Sequence, residues 1–136
     1  MSEERTGVEI LKAFFGAFLD VSADYMGLAS NSMLYRAGEM VGESFSFLSP
    51  DELTNAFSDM GMTVMVQQNS SQWIFVVENS VECTMCGGAK FEPHCHMLRG
   101  FFSSYVRARS RNPYLRCIET ECASSGGDFC RFVVSP

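Results

Sequence analysis

Residues 62–77 read MTVMVQQNSSQWIFVV. Two runs rich in β-branched and aromatic residues, Met62–Gln68 and Gln72–Val77, flank a polar Asn69-Ser70 step. Such runs on either side of a turn signal form an antiparallel hairpin, so the chain is not an all-helical bundle. Upstream, the apolar spacing is helical instead. Ser49-Pro50-Asp51-Glu52 is a helix start, with a capping serine, a proline in the first turn and a glutamate that completes the box. Gly61 ends that helix. A helix is also expected around Ser32–Val41, where Gly38 and Gly42 sit four apart and permit close packing. The first helix is expected near Gly7, with Thr6 and Glu9 spaced as a capping box. Leu11, Phe14, Phe15, Phe18 and Leu19 follow it at helical spacing, a stripe that suits core or a dimer seam.

Downstream of the hairpin, Val81–Pro93 carries Gly87-Gly88 and Pro93 and reads as a loop. His94–Arg109 reads as a fourth helix, with Met97, Phe101, Tyr105 and Ala108 along one face. Tyr114–Glu121 and Phe129–Val134 read as two further strands. The order ααα-ββ-α-ββ predicts an α+β fold, a four-stranded antiparallel sheet with helices packed on it. A length of 136 residues suits one domain over 1–136.

Composition narrows the function. Twelve phenylalanines and nine methionines imply an adaptable apolar interior or an apolar surface covered by a partner. A net charge of −6 argues against nucleic acid as partner. The charge is uneven: residues 1–82 hold twelve acids and three bases, and residues 83–136 hold four acids and seven bases. No stretch reaches the roughly 18 apolar residues of a membrane span. The opening residues MSEER lack the basic start and apolar run of a signal peptide. The expected location is cytoplasmic, where thiols stay reduced, and six cysteines then point to metal or redox chemistry.

All six cysteines lie between positions 83 and 130. Cys95 opens the fourth helix, Cys122 ends a strand, and Cys130 opens the next strand eight positions later. Thiolates at converging element ends, with a nearby carboxylate, make a closed tetrahedral zinc site. Glu119 and Glu121 are both candidate acids. Strand parity puts Glu119 and Cys122 on opposite faces, so coordination by both requires a bulge. Cys83 and Cys86 form a Cys-x-x-Cys, and with His94 and His96 they offer a second metal site or a redox pair. Cys117, in mid-strand, reads as a small core residue.

Residues 95–134 resemble the C-terminal signature of the vinyl-4-reductase domain family. Cys95 stands five positions before Gly100, Glu119-Thr120-Glu121-Cys122 supplies the acid-x-acid-Cys strand end, and Cys130-Arg131-Phe132 follows the turn. The family's Gly-Asp turn is here Gly126-Gly127 with Asp128 one place on. Leu34-Tyr35-Arg36-Ala37-Gly38 resembles the family helix that precedes the ligand pocket. The resemblance implies an α+β fold shared with Golgi transport-complex subunits, usually dimeric. By analogy with phenol-responsive sensory members, it also implies zinc held by Cys95, Glu119, Cys122 and Cys130.

No Gly-rich phosphate loop, nucleophile elbow or nicotinamide or flavin motif is present. A shell filled by anionic ligands suits a structural ion rather than a catalytic one. No catalytic residue is assigned, and the leading expectation is a binding or sensing domain for a small apolar or aromatic molecule. Trp73, Phe75, Phe101, Phe102 and Tyr105, with Phe45 and Phe47, are the candidate lining residues. Such a domain would act as a homodimer and report through a protein partner. A thiol redox switch using Cys83 and Cys86 and a structural homodimeric assembly subunit are the alternatives.

Overall fold

The computed structural model describes residues 3–27, 29–85, 95–123 and 128–136, of which residues 3–8, 84 and 85 are described by backbone alone. Three helices come first: α1 (Glu3–Met26), α2 (Ala29–Ser44) and α3 (Pro50–Asp59). The hairpin β1 (Thr63–Gln68) and β2 (Trp73–Glu78) follows, then a short helix α4 (Val81–Met85) and the long helix α5 (His96–Ser110). Strands β3 (Arg116–Glu121) and β4 (Cys130–Ser135) complete the sheet. The fold is α+β, and the sheet is antiparallel throughout with strand order β1-β2-β4-β3.

Local chemistry explains most boundaries. Ser49 Oγ accepts the Glu52 N–H at 3.2 Å, and the Glu52 carboxylate accepts the Ser49 N–H at 3.1 Å, so the capping box starts α3 at Pro50. Gly61 stops that helix with a φ of +84°, a left-handed conformation that glycine adopts without strain. Asn69 Oδ1 accepts the N–H groups of Ser71 and Gln72, each at 2.9 Å, and closes the hairpin. We expect Ser49→Ala to lower unfolding stability by about 1 kcal/mol, read as a shift in the urea midpoint at unchanged slope.

Two boundaries differ from expectation. Helix α1 begins at Glu3, which puts Thr6 inside it and leaves the Thr6/Glu9 spacing without a boundary role. Within the stretch expected to be a loop, α4 forms over Val81–Met85. The Ser80 hydroxyl accepts the Cys83 N–H at 3.4 Å and so caps its first turn.

The core lies between the sheet and α5. Strand β2 turns Trp73, Phe75 and Val77 inward, and β4 turns Cys130, Phe132 and Val134 inward, in strict alternation. Phe102 of α5 stacks on Phe75 with ring centroids 4.2 Å apart and packs on Phe132 at 5.1 Å. On its other side α5 meets α2 at backbone distance. A Cβ on Gly38 would overlap the Met97 carbonyl, one on Gly42 the Phe101 carbonyl, and one on Gly100 the Tyr35 carbonyl. The two helices can cross this closely because all three positions lack a side chain. Helix α5 is thus held between the sheet and α2, and its N-terminus is a fixed point for a site.

Candidate metal centre and the apolar cavity beside it

Four cysteines converge at that fixed point. Cys95 is the N-cap residue of α5, Cys122 directly follows β3, Cys130 is the first residue of β4, and Cys83 lies in α4. Their sulfurs all lie within 4.8 Å of one another. Cys95, Cys122 and Cys130 are buried, and Cys83 is half-buried. This group of four could hold a metal ion.

The spacing tests the fit. A Zn–S bond of about 2.3 Å puts tetrahedral sulfurs about 3.8 Å apart. The separations are 3.7 Å for Cys95–Cys130, 3.8 Å for Cys122–Cys130 and 4.0 Å for Cys95–Cys122. Those three thus outline one face of such a tetrahedron. Cys83 lies closer in, at 3.1 Å from Cys122 and 3.2 Å from both Cys95 and Cys130. Around the sulfurs, Ser80 Oγ lies 3.3 Å from Cys95 Sγ and the Ala123 N–H donates to Cys130 Sγ at 3.4 Å.

Electrostatically, the cluster calls for a cation. Hydrogen bonding among the neighbouring sulfurs, with burial added, pushes the Cys95 thiol far above its ordinary range. Contact with Cys83 raises the Cys130 thiol as well. A bound divalent ion reverses that tendency, because it stabilises each thiolate directly.

Glu119 stands beside this group. A register shift in β3 between Glu119 and Glu121 makes Thr120 an extra residue, so Glu119 and Cys122 both end on the core side. Glu119 Oε1 accepts the Cys95 N–H at 3.0 Å. Its Oε2 is buried and has no hydrogen-bond partner. Burial raises the carboxyl to about 8, with the Cys95 N–H pulling the other way. Glu121 points outward and is exposed.

Other candidates from the sequence fall elsewhere. His96 is the first residue of α5 and borders a second hollow of about 240 Å³, with Arg99, Cys117, Ile118 and Glu119. Cys86 and His94 lie outside the described residues. Cys83 therefore joins the other three cysteines and is not grouped with His96. Nothing in a Cys-x-x-Cys pattern indicates this, but Ser80, three residues before Cys83, signals the short helix that carries it. Cys117 is a buried core thiol.

Helix α4 also borders an apolar cavity of about 510 Å³ between α1, α2, α3 and α5. Phe15, Val41, Phe57, Met62, Leu98 and Phe101 are among its walls, and its charged lining residues are Lys12 and Glu82. Of the aromatic residues proposed from the sequence, Phe101 and Phe45 line it. Trp73, Phe75, Phe102 and Tyr105 belong to the aromatic core, where the Tyr105 hydroxyl donates to the Leu48 carbonyl at 2.7 Å. Phe47 is exposed.

Glu82, which no sequence motif marks, joins cavity and metal centre. Its two carboxylate oxygens accept the Met97 N–H at 2.9 Å and the Leu98 N–H at 2.6 Å. It satisfies the first turn of α5 from outside the helix. Burial raises it to about 7 against the pull of those two N–H groups. Glu82→Ala removes both acceptors and is expected to lower stability by about 2 kcal/mol, measured by urea unfolding. A change no larger than the roughly 0.5 kcal/mol of a surface substitution would mean that water replaces the carboxylate.

With this geometry established, comparison with known proteins places the chain. The family model of the vinyl-4-reductase domain matches residues 73–136, from β2 through β4. The chain carries a vinyl-4-reductase domain. The uncharacterized protein MJ1642 of Methanocaldococcus jannaschii is 27% identical to it over 114 residues, which cover 81% of this chain and 67% of that protein. A crystal structure of a vinyl-4-reductase family protein from the same organism superposes with a TM-score of 0.69 at 25% identity, covering 90% of this chain and 78% of the other. The phenol-responsive sensory domain of the transcription activator PoxR, solved with phenol, gives 0.73 at 22% identity, covering 92% and 74%. Trafficking protein particle complex subunit 3 of Naegleria fowleri, covalently bound to palmitic acid, gives 0.59 at 16% identity, covering 96% and 95%. The vinyl-4-reductase fold here is thus shared with a transport-complex subunit, as the motif resemblance implies. Among the described residues no helix of this vinyl-4-reductase domain protein is long and apolar enough to cross a membrane.

Proposed function

We propose that this vinyl-4-reductase domain protein, one domain over residues 1–136, binds and senses a small apolar molecule and carries one structural zinc ion. The observation behind this reading is that α4 supplies Cys83 to the sulfur cluster and Val81 and Glu82 to the cavity wall. A volume of about 510 Å³ lies within the roughly 300–1,000 Å³ typical of small-molecule sites. The PoxR domain and the Naegleria subunit, which share the fold, are described with phenol and with palmitic acid. Four thiolates suit zinc, which favours closed tetrahedral sulfur sites. In this reading Cys83, Cys95, Cys122 and Cys130 hold the ion, and the Glu119 carboxylate fixes the Cys95 backbone beside them. The zinc clamps the last two strands and α4 to the start of α5, and so closes the cavity. The ion supplies cross-linking and not a reaction.

Signal output requires a partner. Leu11 is 69% and Phe14 70% exposed on α1, and Ile10, Phe18 and Val21 are exposed on the same helix. This face suits a second copy of the chain or an output protein in the cytoplasm. Mass spectrometry of an organic extract of the purified protein tests the ligand reading. We expect a co-purified apolar molecule whose recovery falls when Phe57→Lys puts a charge in the cavity. Equal recovery from both proteins would contradict a site at this cavity.

A further inference from the structure

The cluster offers one more anionic donor than a tetrahedral ion accepts. Four sulfurs converge, and the Glu119 carboxylate lies against the Cys95 and Cys122 thiols with one buried oxygen that has no hydrogen-bond partner. Five donors compete for four positions.

The donors are not equivalent. Cys95, Cys122 and Cys130 are buried at the ends of α5, β3 and β4, and their separations match a tetrahedral face. Cys83 differs in three respects. It is half-buried, it rides on a helix of five residues, and its sulfur sits 3.1–3.2 Å from the others, closer than a tetrahedral edge. It must move outward for a metal to enter. Glu119, in contrast, is held on a strand by backbone pairing and by the Cys95 N–H.

From this asymmetry we infer that Cys83 and Glu119 are exchangeable fourth ligands of the metal, and that the exchange docks or releases α4 at the cavity wall. The inference rests on the zinc reading above. In the exchange the bond from the metal to Cys83 Sγ breaks, a bond to Glu119 Oε2 forms, and the departing thiolate takes a proton from solvent. No electron moves. With Cys83 bound, Val81 and Glu82 close the cavity. With Glu119 bound, α4 is held by Glu82 and its cap and no longer by the metal. A molecule that packs against docked α4 favours the Cys83-bound state, and by linkage that state binds the molecule more tightly.

Metal content and X-ray absorption of the wild type, Cys83→Ala, Glu119→Gln and the double variant test the inference. We expect one zinc per chain in the wild type and in both single variants. Cys83→Ala should show three sulfurs and one oxygen, Glu119→Gln four sulfurs, and the double variant should lose the metal. Loss of zinc from Cys83→Ala alone would overturn the inference by making Cys83 obligatory. Retention by the double variant would overturn it by showing that the oxygen is water. Zinc lost from Glu119→Gln alone would overturn it by making the carboxylate obligatory. A metal-free wild type would instead remove the zinc reading itself, and this inference with it. Should Cys83→Ala fail to fold, alkylation of zinc-loaded wild type by iodoacetamide decides, read by peptide mass. Labelling of Cys83 with zinc retained and Cys95, Cys122 and Cys130 protected supports exchange. Labelling that releases zinc, or none at Cys83, refutes it.

Discussion

Cys130→Ser is expected to lose zinc and at least about 4 kcal/mol of stability, the gain from an ion present at a thousandfold over its dissociation constant. Cys130 is fully buried, opens β4 and pairs across the sheet with Val77. A ligand there ties the metal to the two central strands. Serine is a poor zinc ligand at neutral pH, and the remaining sulfurs then face one another without a cation. The wild type should show the same loss when a chelator removes its metal, because binding free energy of a structural zinc is folding free energy. Thermal unfolding of both proteins, with and without chelator, checks this. The chelator should lower the wild-type midpoint and leave the variant unchanged.

The second large effect concerns the helix crossing. Gly100→Val is expected to cost about 3 kcal/mol, at the upper end for overpacking, because the added carbons meet the Tyr35 carbonyl of α2 and not a flexible side chain. Relief requires α2 and α5 to separate. Since α5 carries Cys95 at its start and Phe101 in the cavity wall, separation should also weaken metal retention. Urea unfolding gives the stability change, and zinc content after dialysis gives the second effect. Wild-type stability in this variant would mean that the crossing adapts freely.

What can be read from the residues follows from how local each signal is. The α3 start at Ser49-Pro50-Asp51-Glu52 and the hairpin turn at Asn69 are decided within four residues, and both appear in the structure where the sequence puts them. The α+β class and the antiparallel sheet follow from the same kind of signal. Helix α4 is hard to see in the sequence because a five-residue helix has no periodicity to detect, and Ser80 as its cap is a single residue. The site is less legible. Strand parity cannot tell whether Glu119 faces Cys122, because the bulge at Thr120 that settles the matter has no marker in Glu119-Thr120-Glu121. Spacing alone pairs Cys83 with Cys86, although its sulfur lies with three partners 12 to 47 positions away. Aromatic residues are the hardest to assign. Phe101 and Phe102 are adjacent on α5, yet one lines the cavity and the other fills the core, a difference fixed by which helix face meets the sheet.

The most direct measurement is the metal content of wild-type protein purified without chelator, combined with the sulfur count from X-ray absorption at the metal edge. The account predicts one zinc per chain with at least three sulfur ligands near 2.3 Å, and loss of folded signal when the zinc is removed. A fully folded protein with no bound metal would contradict it.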